Sequence, residues 1–256
     1  MLLATWNVNS IRARQARFLA WLEKQKPDVV CLQELKCEQK VLDSLELEAL
    51  GWHVVANCQK TYNGVAVLSR TPLADPLIGM QDGEEDPQAR LVAATVDGIR
   101  VISAYVPNGN GVGSEKYAYK LRWLERLRAW LERHCDPAQP LALCGDFNVA
   151  PEARDVHDPA AWENETLFHV DSRERLQALL DWGLVDAFRI HNDAPGLYSW
   201  WDYRMLAFPK NRGLRIDLVL VTRPLAARVT GSFIDREERK GKLPSDHAPV
   251  CVRLDQ

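Results

Sequence analysis

Short apolar runs rich in β-branched residues recur along the chain, at 2–6, 29–32, 52–56, 65–68, 91–96, 101–105, 141–144, 216–221 and 249–254. Runs of this length, bounded by polar or turn-forming residues, predict strands, some buried on both faces and some on one. Between them lie stretches with helical spacing. One covers 10–25 and opens on Ser10, with Ile11, Phe18, Leu19 and Leu22 apolar and Arg12, Arg14, Arg17 and Lys24 outside. A second covers 114–134, where Leu121, Leu124, Leu127 and Leu131 fall on one face. A third covers 173–182 and is closed by Gly183.

Three predicted strands, 65–68, 91–96 and 101–105, follow one another with no helical pattern between them, and Asp97-Gly98 is a hairpin signal. The β-structure is therefore mixed rather than doubly wound. No repeat, low-complexity segment or linker divides the chain, which reads as one α/β domain over 1–256. The polar stretch 151–169 contains prolines and predicts a long loop, a feature often functional in compact domains.

Composition narrows the classes. Nine Trp, six Tyr and six Phe within a 46% hydrophobic chain exclude disorder. The formal charge of −3 excludes coating of nucleic acid by bulk charge, so any DNA contact must come from local basic patches. Six cysteines without a C-x-x-C pair or a tight His/Cys grouping predict reduced thiols rather than disulfides or structural zinc. The chain turns polar by Asn7, too soon for a signal peptide, and no apolar run approaches the roughly 18 residues of a membrane span. A cytoplasmic protein with no membrane partner is expected.

The predicted strands end on groups able to ligate metal or move protons. Residues 2–6 lead to Asn7 and Asn9, 29–32 to Gln33-Glu34, 101–104 to Tyr105, and 141–144 to Gly145-Asp146-Phe147-Asn148. Arg215-Ile216-Asp217 and Ser245-Asp246-His247 precede strands. Singly each has an ordinary explanation: a solvated turn carboxylate, a turn-shaping Asn, a salt-bridge Asp, a packed Tyr or His. Asp146 and Asn148 form a stronger signal, since residues two apart on an extended chain point the same way. Together, at one rim of a sheet, they make a single site the more economical reading. Asn, Glu and Asp oxygens suit a hard cation such as Mg²⁺. A separate Asp can take a proton from water, and a His held by an Asp favours its charged form. These are parts for metal-assisted phosphodiester hydrolysis.

Thr5-Trp6-Asn7-Val8-Asn9-Ser10, Leu32-Gln33-Glu34-Leu35-Lys36, Tyr62-Asn63-Gly64-Val65-Ala66, Gly145-Asp146-Phe147-Asn148, Gly213-Leu214-Arg215-Ile216-Asp217 and Ser245-Asp246-His247-Ala248-Pro249, taken in order, resemble the exonuclease III family of DNA-repair nucleases. That family lies within the endonuclease/exonuclease/phosphatase superfamily. The resemblance implies a four-layer αββα sandwich of two mixed sheets, and Mg²⁺- or Mn²⁺-dependent cleavage of DNA phosphodiesters by one or two ions. Implied activities are removal of nucleotides or blocking groups from 3′ ends and incision 5′ to abasic sites. It assigns Glu34 as metal ligand, with Asn7, Asn9 and Asp246 about the ion. Asp146 is implied as acid/base, Asn148 as its orienting neighbour, Tyr105 as a phosphate-side group, and Asp217 as the partner of His247.

On the substrate side, Trp200 and Leu214 are implied as an apolar wall for a sugar lacking its base. Lys210, Arg212 and Arg215, with Lys116 on the 114–134 helix, are candidates for backbone phosphates of duplex DNA. The loop 107–113 lacks a long basic side chain to push into the duplex, and the ring of His169 is placed where it narrows the space for an abasic sugar. Both favour 3′-end work over internal incision. The expected partner is double-stranded DNA, abasic or 3′-blocked, and nothing in the sequence demands more than a monomer. Two alternatives stand beside this reading: a superfamily phosphoesterase for inositol phosphates or sphingomyelin, and a non-catalytic DNA-binding protein of the same fold.

Overall fold

Period-two alternation decides which way each strand faces. In the computed structural model, which describes residues 1–255, the chain runs β1 (Leu2–Asn7), α1 (Ile11–Gln25), β2 (Val29–Gln33), α2 (Gln39–Asp43), β3 (His53–Asn57), β4 (Val65–Ser69), β5 (Ala74–Ile78), β6 (Leu91–Val96), β7 (Ile99–Tyr105) and α3 (Glu115–His134). It continues β8 (Leu141–Asp146), α4 (Pro159–Trp162), α5 (Val170–Asp181), β9 (Leu184–Asp186), β10 (Asp217–Thr222), α6 (Arg223–Ala226), β11 (Val229–Ile234) and β12 (Val250–Leu254).

The strands form two six-stranded sheets, ordered β11-β12-β1-β2-β4-β3 and β5-β6-β7-β8-β10-β9. Both are mixed: β1 pairs β2 and β7 pairs β8 in parallel, and the other pairs are antiparallel. A parallel pair needs a crossover, and α1 and α3 provide the two. Each is capped by the serine that opens its sequence pattern, Ser10 accepting from the Ala13 N–H and Ser114 from the Tyr117 N–H.

Three layers of packing follow. Leu3, Val29, Cys31 and Val67 from one sheet meet Val101, Cys144, Val219 and Val221 from the other. On the far side of the first sheet Ala4, Trp6, Val30 and Leu68 pack against Ile11, Phe18 and Trp21 of α1. On the far side of the second, Ile102, Leu143 and Leu218 pack against Trp123, Leu127 and Trp130 of α3 and Leu176 of α5. This is the αββα sandwich.

Three strands carry no clear sequence signal, β5, β9 and β11, and all three lie at sheet edges. β5 is mostly exposed and contains Pro76, which only an edge tolerates; β9 has three residues. The stretch 151–169 contains a 3-10 turn at Ala153–Asp155 and the single turn α4, both too short to show a helical period. Helix α5 begins three residues before the predicted 173, because the His169 ring accepts the Asp171 N–H and caps it. Among the described residues no helix is long and apolar enough to cross a membrane.

Candidate active site

Along five central strands the inward-facing positions step from apolar to polar in one direction. Leu3 gives way to Thr5 and Asn7, Cys31 to Gln33, Val101 to Ser103 and Tyr105, Cys144 to Asp146, and Val219 to Asp217. Gln33 donates to Thr5 and to Ser103 across the sheet interface, so the polar layer joins the two sheets. In register, Tyr105 lies beside Asp146 and Asp146 beside Asp217 on the second sheet, with Asn7 beside Gln33 on the first. The site is thus the polar end of the space between the sheets.

There the Asn7 amide donates to Glu34 Oε1 at 2.8 Å and to Asp146 Oδ2 at 2.9 Å, holding two carboxylates apart. Tyr105 donates its hydroxyl to Glu34 at 2.8 Å. His247 puts Nδ1 2.8 Å from Asp217 Oδ2 and Nε2 3.6 Å from Asp146 Oδ2. Ser199 donates to the same Asp217 oxygen at 2.6 Å while accepting the Ile216 and Asp217 N–H groups. The backbone of 245–247 is tied to β1: Ser245 donates to the Asn7 carbonyl and Trp6 Nε1 to the His247 carbonyl.

Burial and neighbours set opposite charge states. Burial raises the Asp146 carboxyl to about 7, with Asp217 and Glu34 adding to the rise and His247 opposing it. Burial works against the His247 charge, but Asp217 and Asp146 outweigh it and push the imidazole up to about 10. Burial likewise works to raise Glu34, yet Lys36 and the Asn7 amide hold it below the usual range. For Asp246 burial is outweighed by His247 and by the Trp200 and Asn9 donors, which lower it. Tyr105 is driven well above its ordinary value, by burial first and then by Glu34 and Asp146.

Glu34, Asp146 and His247 offer donor atoms within 4.8 Å of one another. His247 in its charged form has no lone pair for a metal, which leaves oxygen donors. Glu34 Oε2 and Asn9 Oδ1 each lie 2.7 Å from Lys36 Nζ, so two oxygens already converge on one cation. This set fits a hard divalent ion. Asn7, expected about the ion, instead turns its NH₂ to the carboxylates and its Oδ1 to the Asn9 N–H. Asp246 accepts from Asn9 Nδ2 at 2.9 Å and Trp200 Nε1 at 3.0 Å, joining the Glu34 side to the aromatic wall.

The turns that aim these groups carry backbone strain: Asn9, Glu34 and Asn148 sit at φ 45°, 53° and 48°. Gly145 is required by close approach, since a Cβ there would lie 1.8 Å from the Ala104 carbonyl oxygen. Asn148 donates to the Val106 carbonyl and accepts from Asn108, so it belongs to the loop after β7 as much as to Asp146.

Leu214 is buried with Ile216, Val156, Leu167 and Phe168, and Trp162 and Trp200 cover the cluster. Trp200 pairs with Leu214 through the backbone and meets Trp162 edge to face at 6.2 Å. Lys210 and Arg212 are exposed, beside a depression of about 600 Å³ that His157 and Asn211 also line. Lys116 is exposed on a second groove, of about 510 Å³, with Arg90, Asn108 and Tyr62. Two expectations are corrected. Arg215 is 0% exposed and spends its guanidinium on Asp155 and Asp186, out of reach of any phosphate. His169 caps α5 and packs edge to face on Tyr117 at 5.7 Å; the bulk near Leu214 comes from Trp162, Leu167 and Phe168. Lys36, Ser199 and Asn108 join the site without having been singled out. Lys36 and Asn108 lie inside segments already marked, but Ser199 acts only through the tertiary position of Asp217.

A family model described as "Endonuclease/Exonuclease/phosphatase family" matches residues 4–247. Exodeoxyribonuclease III of Haemophilus influenzae is 34% identical over 266 aligned positions, covering 99% of this chain and 100% of the relative. An AP endonuclease structure from Archaeoglobus fulgidus superposes with a TM-score of 0.96 at 40% identity, over 100% of both chains. A 3′ phosphatase from Neisseria, solved with a product DNA hairpin, gives the same TM-score of 0.96 at 40% identity over 100% of both chains. Full-length identity and a shared sandwich together place this chain in the endonuclease/exonuclease/phosphatase family, in its exodeoxyribonuclease III branch.

Proposed function

We propose that this chain is a divalent-metal-dependent DNA repair nuclease of one domain, acting as a monomer on duplex DNA with Mg²⁺, for which Mn²⁺ substitutes. Its main work is at 3′ ends, removing nucleotides and blocking phosphates, with incision 5′ to abasic sites as a second activity. The observation that carries the reading is the pairing of a carboxyl raised to about 7, Asp146, with an imidazolium raised to about 10, His247, 3.6 Å away. One group is poised to exchange protons near neutrality and its neighbour stays positive.

Asp146 takes the proton of the attacking water, and Asn148 orients that water. His247, fixed by Asp217, directs N–H toward a phosphoryl oxygen, where charge grows in the transition state. Tyr105 donates from the Glu34 side. Glu34 and Asn9 would hold the metal, which when bound stabilises negative charge on the phosphate oxygens. Lys210, Arg212 and Lys116 are suited to flanking phosphates, and Trp200 with Leu214 to an apolar sugar face. The crowding of that face by Trp162, Leu167 and Phe168 supports the preference for 3′ ends over internal incision.

The test is hydrolysis, with and without EDTA, of an abasic duplex, a duplex with a 3′-phosphate and an inositol polyphosphate. EDTA-sensitive release of the 3′-phosphate with the inositol substrate untouched supports the reading. Preference for the inositol substrate, or DNA binding with no hydrolysis at all, refutes it.

A further inference from the structure

Helix α3 sends an unusual group into the protein. Ser114, Tyr117 and Lys120 recur every third residue on one helix face, and each ties down a loop. Ser114 donates to the Gly109 carbonyl. The Tyr117 hydroxyl meets that of Ser172, which in turn donates to the Thr166 carbonyl. Lys120 is 0% exposed, and its ammonium donates to three backbone carbonyls: Asn148 at 2.6 Å, Thr166 at 2.8 Å and Asn108 at 3.2 Å. Among the described residues no carboxylate hydrogen-bonds or ion-pairs with it.

A buried ammonium without a carboxylate partner is expensive. Burial pulls the Lys120 amine down to about 7, with the charge of Asp146 opposing it. A leucine or methionine would fill the same space without that cost, so the three N–H bonds have a purpose beyond filling. The carbonyls they collect belong to three separate segments: the loop after β7, the turn after β8 that carries Asn148 just beyond Asp146, and the stretch before α5. The fit extends along the stem. A Cβ on Gly109 would come within 3.0 Å of Lys120 Cδ and 3.1 Å of Tyr117 Cδ2, so the loop after β7 closes on the lysine through a residue without a side chain at φ 93°.

We infer that Lys120 is a positioning residue, whose buried ammonium gathers the Asn108, Asn148 and Thr166 carbonyls and so holds the Asn148 side chain in its working orientation. Three acceptors require three N–H groups, which only the ammonium has. With them in place, the Asn148 amide is held between its own backbone anchor, the Val106 carbonyl and the Asn108 amide. Without them the turn after β8 keeps its Asp146, Val106 and Asn108 side-chain contacts but loses the ammonium that joins the Asn148 carbonyl to those of Asn108 and Thr166. The inference rests on the reading that Asn148 orients the attacking water.

The experiment is a double-mutant cycle between Lys120→Met and Asn148→Ala. It measures single-turnover rate and KM on a 3′-phosphate duplex, with melting temperature recorded for every variant. Lys120→Met should lower the rate about 10²-fold with KM little changed, the loss expected when a working group shifts by about an ångström. In the Asn148→Ala background the same substitution should cost less than about 3-fold, because its target is gone. Lys120→Gln, which keeps two N–H donors, should give a smaller loss that vanishes in the same way, and it replaces the Met variant if that chain does not fold. A full-rate Asn148→Ala enzyme would remove the reading of Asn148, and the inference with it. If Asn148→Ala is slow but Lys120→Met costs the same factor in both backgrounds, or only lowers the melting temperature, the inference about Lys120 alone is overturned.

Discussion

His247 Nδ1 lies 2.8 Å from Asp217 Oδ2, inside the protein, and this contact decides what the opposite ring nitrogen does. Asp217 is itself fixed by Ser199, so the imidazole is locked in orientation with Nε2 toward Asp146. The His247 pKa of about 10 lies above the ordinary 6.5, so the pair stabilises the fold fully below about 6.5 and loses that contribution as pH rises through about 10. Asp217→Asn removes the largest influence raising it. The alkaline limb of the pH–rate profile should move to lower pH, with kcat falling most above neutrality. An equal loss at every pH would mean that the pair serves packing alone.

Asp146 supplies the other limb. Its carboxyl must lose its proton to act as base, so the rate should climb as pH rises through about 7. Asp146→Asn should lower single-turnover chemistry by roughly 10² to 10⁴ and flatten that limb while leaving DNA affinity nearly intact. Weakened binding with unchanged chemistry, read by fluorescence anisotropy and quench-flow, would make Asp146 a contact residue.

Glu34 is held ionised among Asn7, Tyr105 and Lys36. Glu34→Gln keeps its shape and removes its charge, so the divalent concentration for half-maximal rate should rise at least tenfold. Full activity of this variant at low Mg²⁺ would assign the ion elsewhere.

Trp200 stands between two roles, donating its indole N–H to Asp246 and packing on Trp162 and Leu214. An apolar face too small for a base rejects intact nucleotides. Trp200→Ala should therefore lower kcat/KM on an abasic duplex more than on a 3′-phosphate, narrowing selectivity over undamaged DNA. A uniform drop on all three substrates, together with a lower Tm, would place the residue in the core.

Arg212 and Arg215, three positions apart, should behave in opposite ways. Arg215→Ala leaves Asp186 without its ion-pair partner and Asp155 with Arg189 alone, and should cost about 3–5 kcal/mol of stability, read by denaturant unfolding. Arg212→Ala should leave stability unchanged and reduce the salt dependence of DNA binding by about one unit of slope. A stable Arg215→Ala chain with a shallower salt slope would restore Arg215 to the DNA surface.

Local pattern alone determined much of this molecule. The alternation of Leu3, Thr5 and Asn7 against Ala4 and Trp6 orients β1, and the serine-capped spacing of α1 and α3 defines the two crossover helices. The polar residues ending 2–6, 29–32, 101–105 and 141–144 mark one rim, because burial acts on each strand separately and leaves its trace in neighbouring residues. Three of the four edge strands, β5, β9 and β11, left little trace, since an edge buries only part of one face; the fourth, β3, shows as the run 52–56. Which charges meet is a different matter. Trp6 bonds His247 across 241 residues, and the Asn7 amide bridges Glu34 and Asp146 from a third segment. Arg215 looks like a DNA-facing cation in sequence, yet the segment entering β10 is tied by its backbone to Asp155 and turns the side chain inward onto Asp155 and Asp186. Lys120 looks like one more solvated lysine of a basic helix, yet its position on α3 aims it at three loops. Hydrophobicity is a property of each residue and shows in the chain. A charge takes its meaning from its partner, and strand register and helix rotation choose that partner.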